Sequence, residues 1–162
     1  MSKQKTETKL NSARCSCTGL RKATRRISQL YDAALAPSGM KITQRAILSQ
    51  IGRSVSTSVG LLAEALVMDS GALAHTLRPL ERDGYIAAEV DPNDRRHRLI
   101  SLTAQGRAKL AETDTLWAEA EKNFESAFGR AATESLRTLL QLLVSDDFAA
   151  RFEKGLANPA RK

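Results

Sequence analysis

The chain has 162 residues, 25 Lys plus Arg against 18 Asp plus Glu, a formal net charge of +7 and 42% hydrophobic residues. That length suits one domain with a real core; the composition excludes a wholly disordered chain, and charges interrupt every long apolar stretch, which excludes a membrane span. The basic N-terminus has no apolar stretch behind it and does not read as a secretory signal. Two cysteines make no disulfide framework, so a reduced, cytoplasmic protein is expected. A basic excess points to a polyanion, most often nucleic acid, but its position matters. Residues 1–30 carry eight basic side chains and one acid, residues 69–109 seven and six, and residues 110–162 seven and nine. The whole excess lies in the first thirty.

Residues 1–12 are polar and basic and read as a mobile tail. A helix is expected from Ala13 to Ala36, with Leu20, Ala23, Ile27, Leu30 and Ala34 on one side and Arg21, Lys22, Arg25 and Arg26 on the other. Pro37, Ser38 and Gly39 end it. A second helix is expected after Thr43 as N-cap, with Ile47, Leu48 and Ile51 inward, and residues 52–58 read as a Ser- and Thr-rich loop. Val59, Leu62, Ala63 and Leu66 mark a short helix; Asp69 caps another with Leu73, Leu77 and Leu80 inward. Only Val67 and Met68 part them, the spacing of a helix-turn-helix. Pro79 predicts a kink, and Gly84 a C-cap. Residues 85–90 and 98–102 read as two strands joined by turn chemistry at Asp91-Pro92-Asn93-Asp94, with Arg95, Arg96, His97 and Arg98 at the tip. Thr103 caps a long helix to Phe128, with Leu110, Thr113, Trp117, Ala120, Phe124 and Phe128 at helical spacing; Thr133 opens another with Leu136, Leu139, Leu140 and Leu143; a last segment carries Phe148, Phe152 and Leu156.

In this order the chain resembles the MarR family of bacterial winged-helix regulators over roughly residues 15–145. The resemblance is carried by Leu77-Arg78-Pro79-Leu80-Glu81-Arg82-Asp83-Gly84-Tyr85-Ile86, by Asp91-Pro92-Asn93-Asp94-Arg95-Arg96 and by Leu102-Thr103-Ala104-Gln105-Gly106, with Gln29-Leu30-Tyr31-Asp32 and Thr43-Gln44 adding to it. It implies a mainly α fold with a small two- or three-stranded β wing. Residues 1–12 would be the tail, 13–40 a dimerisation helix, 41–103 a winged helix-turn-helix lobe and 104–162 the remaining dimerisation helices. It further implies a homodimer on double-stranded DNA at a pseudo-palindrome with half-sites about one helical turn apart. Family members are usually repressors released by a small molecule, here expected to be aromatic or anionic.

On that scaffold the DNA-facing candidates are Asp69, Ser70, Gly71, Ala72, Ala74, His75, Thr76 and Arg78 on the second helix of the motif, and Asp94, Arg95, Arg96 and Arg98 on the wing. The helix N-terminus at Asp69 and Ser70 suits a phosphate. Gly71, Ala72 and Ala74 cannot hydrogen-bond a base edge through side chains, so direct readout is expected from His75, Ser70 and Thr76, with shape supplying the rest. Asp94 is expected to pair with Arg96, leaving Arg95 or Arg98 for a phosphate or the minor groove. Arg21, Lys22, Arg25 and Arg26 either draw DNA in or pair with the acidic C-terminal region, including Asp146 and Asp147, of a second subunit. Arg26, Tyr31, Leu48 and Trp117 are candidates for an effector pocket.

Cys17 falls where peroxide-sensing relatives carry their reactive cysteine, and Tyr31 matches one assisting tyrosine, while Arg21 and Ile42 stand where the others would be. A thiol redox regulator using Cys17, with Cys15 beside it, is therefore the alternative reading. Cys-x-Cys without a nearby third ligand is a poor zinc site, and no metal or cofactor is expected. With two histidines and no H-E-x-x-H helix, phosphate loop or G-x-S-x-G elbow, the sequence does not read as an enzyme. A nonspecific basic architectural protein is the remaining alternative.

Overall fold

The computed structural model describes residues 15–92, 94–96 and 98–157. In chain order they form α1 (Ser16–Leu35), a 3-10 turn (Ala36–Ser38), α2 (Ile42–Ile51), β1 (Thr57–Ser58), α3 (Val59–Ala65), α4 (Ser70–Arg82), β2 (Ile86–Val90), β3 (Arg98–Leu102), α5 (Ala104–Phe128), α6 (Arg130–Leu143) and α7 (Asp146–Ala157). The chain divides into two compact units, one up to Trp117 and one from Ala118 onward. The basic tail expected at 1–12 lies outside the described residues, as do Asn93 and His97 of the wing. Among the described residues no helix is long and apolar enough to cross a membrane.

The first unit is built on aliphatic residues at helical and strand spacing. Ile47, Leu48 and Ile51 of α2, Leu62 and Ala63 of α3, Leu73, Leu77 and Leu80 of α4, and Ile86, Ile100 and Leu102 of the sheet close on one another with Met40. Burying each large aliphatic side chain contributes about 1.5–3 kcal/mol. The sheet is antiparallel in the order β1-β3-β2. Ile86 lies opposite Leu102 and Val90 opposite Arg98, so the β2–β3 hairpin projects its tip away from the core. β1 corrects the loop expected through Ser58: Thr57 pairs with Ile100 and Ser58 with Leu99. Two residues are too few to show an alternating pattern.

α2 also begins differently from the sequence expectation. Ile42 is already helical, and Thr43 is not the cap. Ile42 N–H donates to Asp32 Oδ1 at 2.8 Å, and Lys41 N–H donates to Gln44 Oε1 at 3.0 Å. A carboxylate ten residues upstream, on α1, thus does what a local cap would have done. Asp32 also meets Lys41 Nζ at 3.6 Å.

The helix-turn-helix forms as its caps dictate. Ser58 Oγ accepts Leu61 N–H at 3.2 Å at the start of α3. α3 ends with Met68 N–H on Ala63 C=O at 2.8 Å and Val67 N–H on Glu64 C=O at 3.0 Å, the double bond of a Schellman turn. That turn needs one left-handed residue, and here it is a valine, Val67, at φ 50°. α4 then starts on Asp69 and runs through Pro79 to Arg82. Pro79 has no N–H, so the His75 carbonyl lacks its usual helical donor.

Gly84, at φ 76°, closes α4 with a second Schellman turn: its N–H reaches Glu81 C=O at 3.0 Å and Tyr85 N–H reaches Leu80 C=O at 2.9 Å. The start of α5 locks onto this end. Thr103 Oγ1 donates to Gly84 C=O at 2.6 Å and accepts Gly106 N–H at 2.9 Å, while Thr103 N–H reaches Tyr85 C=O at 3.1 Å. A Cβ on Gly106 would stand 1.8 Å from the Tyr85 carbonyl oxygen, so only glycine admits this approach.

The second unit contains the end of α5 with α6 and α7. Arg137 bonds Glu121 at 2.8 Å, and Phe124 meets Phe128 with ring centroids 5.5 Å apart. α6 starts at Arg130 rather than at Thr133. Thr133 is instead buried, its hydroxyl donating to Gly129 C=O at 2.9 Å. The last apolar segment is the helix α7, opened by Ser145 Oγ accepting Phe148 N–H at 3.2 Å.

Val67 is 69% exposed, so its side chain contributes little packing while its backbone sits where a β-branched residue is strained. Val67→Gly is expected to raise unfolding stability by about 1 kcal/mol, read as a higher urea midpoint with unchanged slope.

Candidate nucleic-acid interface

α4 presents its outer side through Ser70, Gly71, Ala72, His75 and Arg78, all exposed, with Ala74 and Thr76 half-buried. Leu73, Leu77 and Leu80 fix that orientation from below. Several polar groups expected to face DNA are already engaged. Asp69 Oδ1 accepts Gly71 N–H at 2.9 Å and Ala72 N–H at 3.0 Å, so the carboxylate itself fills much of the anion-binding end of the helix. Thr76 Oγ1 donates to Ala72 C=O at 3.1 Å, which spends its only proton on its own helix. Gly71 and Ala72 offer no side-chain donor.

The wing tip is held as expected. Asp94 accepts three bonds from Arg96: its N–H at 3.0 Å, Nε at 3.1 Å and Nη2 at 3.0 Å. Arg98 is tied inward, with Nη2 donating to Ala88 C=O at 2.9 Å and meeting Glu81 at 3.3 Å. It braces β3 against β2 and α4. Of the two arginines proposed to reach DNA from the wing, Arg95 is the one left exposed and without a hydrogen bond or ion pair.

The seven basic residues between 69 and 109 can now be sorted. Arg82 pairs with Asp83, Arg96 with Asp94, Arg98 with Glu81, and Lys109 with Glu112, while Arg107 donates to Leu102 C=O at 2.8 Å. Arg78 and Arg95 remain uncommitted.

The four effector-pocket candidates occupy different surroundings. Leu48 is fully buried in the lobe core, where its role is packing. Tyr31 is buried and Arg26 exposed on α1. Trp117 lies half-buried beneath a residue that sequence reading missed: Arg45 of α2, whose guanidinium carbon sits 4.4 Å from the indole centroid. Arg45 is 8% exposed; its Nη2 donates to Asp114 at 2.7 Å and its Nε has no partner. Its position three residues before Leu48, on the inward side of α2, was the signal available. A cavity of about 360 Å³ nearby is lined by Gly52, Ser54, Val55, Leu102, Arg107, Leu110, Ala111 and Asp114, none of them among the four.

Cys15 and Cys17 are both exposed. Cys15 occupies the N-cap of α1. Thr18, through its hydroxyl and then its N–H, favours the thiolate and holds the Cys15 thiol below its ordinary pKa, against a small opposing effect of burial. Among the described residues no group of His, Cys, Asp and Glu is arranged to hold a metal ion.

A MarR family model matches residues 40–97, the helix-turn-helix with most of its wing. HosA, a transcriptional regulator of Escherichia coli O111:H-, is 30% identical over 100 residues, covering 62% of this chain and 72% of HosA. The chain belongs to the MarR family. The transcriptional activatory protein BadR of Rhodopseudomonas palustris is 35% identical over 77 residues, 46% of this chain; the match spans 44% of BadR, less than half its length. Among solved structures, the Mycobacterium tuberculosis regulator MosR in complex with DNA superposes with a TM-score of 0.70 and 31% identity, covering 79% of this chain and 95% of MosR. HosA and MosR are both transcriptional regulators, and MosR was solved in complex with DNA.

Arg95→Ala removes one of two uncommitted arginines without touching the Asp94–Arg96 clasp. It is expected to weaken binding of all duplexes alike and to make the dependence of log K on log salt shallower by about one per bound chain, measured by fluorescence anisotropy from low to physiological salt.

Proposed function

We propose that this protein is a homodimeric repressor that binds a pseudo-palindromic operator and leaves it when a small aromatic or anionic effector binds. The observation that carries the DNA-binding half is the pairing of an exposed α4, bearing uncommitted His75 and Arg78, with a wing that holds Arg95 free at its tip. In this reading residues 41–103 grip DNA, with α4 in the major groove and the wing beside it; residues 13–40 and 104–162 join the two copies. It acts in the cytoplasm.

A second copy is supported by apolar side chains that each unit leaves in water. In the first unit Leu20 and Leu30 of α1 are 41% and 56% exposed. In the second, Leu139, Leu140 and Leu142 of α6 and Phe148, Phe152 and Leu156 of α7 are exposed. Large exposed apolar patches mark interaction surfaces, and helices of one copy covering those of another would bury these side chains. Arg21, Lys22, Arg25 and Arg26 are exposed and unpaired. Asp147 pairs with Arg151 within α7, which leaves Asp146 and Glu153 as the carboxylates there for a cation of the other copy. The effector reading rests on the family resemblance; an anionic aromatic molecule would have to compete with Asp114 and Trp117 for the Arg45 guanidinium.

Footprinting on DNA flanking the coding region, with sedimentation of the protein alone, tests this reading. The expected result is a symmetric protected site and a species of twice the chain mass. Protection without a preferred site would favour an architectural protein, and a monomer at micromolar concentration would overturn the dimer.

The alternative is a thiol-based redox regulator using Cys17; both Cys17 and Cys15 are free and exposed, and Thr18 beside Cys15 favours its thiolate. Iodoacetamide labelling is then expected to reach half its maximal rate at Cys15 below the pH of an unperturbed thiol, with Cys17→Ser leaving that profile in place. Unchanged DNA binding after organic hydroperoxide, with both thiols intact, would end the redox reading.

A further inference from the structure

We infer that Arg78 is a specificity-determining residue and reads a guanine in each half-site of the operator. The inference rests on the DNA-binding reading above and adds a base to it. It comes from what the rest of α4 has already spent. Asp69 is held by the N–H groups of Gly71 and Ala72, Thr76 by the Ala72 carbonyl and Arg82 by Asp83, and Gly71, Ala72 and Ala74 have no side-chain donor. Glu81 is engaged by Arg98. Beyond the Ser70 hydroxyl, His75 and Arg78 are the donors left on the exposed side of the helix.

These two lie on one line of the helix surface, at i and i+3. Helical side chains lean toward the N-terminus, so an extended arginine at 78 covers the turn that carries His75. That brings its guanidinium back toward the end of α4 that enters the groove. A free guanidinium can offer two parallel N–H groups, which match the N7 and O6 acceptors of guanine and no other base edge in the major groove. An arginine already forked onto a carboxylate, as Arg96 is onto Asp94, cannot do this. The bare Gly71-Ala72 turn places no long side chain between Arg78 and the base. The phosphate work falls to Arg95, on the wing.

The test uses the operator found by footprinting, with wild type, Arg78→Lys and Arg78→Ala measured on that duplex and on a random one. Arg78→Lys is expected to lose about 10- to 100-fold on the operator and little on random DNA, because an ammonium keeps the charge but loses the fork. Replacing guanines singly by 7-deazaguanine should identify one per half-site whose loss weakens wild type but not Arg78→Ala. Equal loss on both duplexes with a shallower salt dependence would make Arg78 a phosphate contact and overturn the inference, as would no loss at all. If the wild-type chain prefers no duplex, the DNA-binding reading fails and this falls with it. Arg78 is exposed, so an unchanged thermal melt serves as the folding control.

Discussion

Where the chain leaves α4, it must turn a helix into a strand and later pack the start of α5 against that same turn. Both depend on the backbone of Gly84 and Tyr85. The Gly84 and Tyr85 carbonyls are met by Thr103, and the Thr103 hydroxyl is in turn met by the Gly106 N–H. The contact closes only because residue 106 has no side chain. This junction fixes where the hairpin departs and where α5 begins, and thereby the placement of the wing relative to α4. The motif Leu102-Thr103-Ala104-Gln105-Gly106 is a statement about hydrogen bonds and clearance, and its parts make sense only together.

A second constraint lies inside the first unit, at Arg45. A guanidinium is costly to bury unless paired. Here Asp114 takes one end and the Trp117 ring covers its face. The arrangement ties α2 of the lobe to α5, so that the recognition motif, which packs on α2, is referenced to the long helix through a polar contact as well as through aliphatic packing. A contact of that kind is sensitive to anything that competes for the guanidinium, and aliphatic packing is not.

Most of the lobe was legible in the sequence because its elements announce themselves locally. Leu73, Leu77 and Leu80 repeat at helical spacing, Asp69 stands before them, and Gly84 after. What sequence reading missed depends on partners distant along the chain. The start of α2 is set by Asp32, β1 exists only because β3 runs beside it, and the role of Arg45 depends on Asp114, far along the chain. At the candidate site, residue types were readable but commitments were not. Thr76 and Arg98 were candidates by chemistry, and the sequence did not show that each already makes a hydrogen bond inside the protein.

The internal pairing of the lobe's arginines has a consequence for how such a protein would move through a genome. Random DNA is held almost entirely by charge, and any bacterial chromosome offers on the order of a million or more competing sites. A lobe that pairs Arg82, Arg96 and Arg98 with its own carboxylates would offer random DNA fewer free charges. It gives up grip everywhere, and so spends less of its time held in the wrong place.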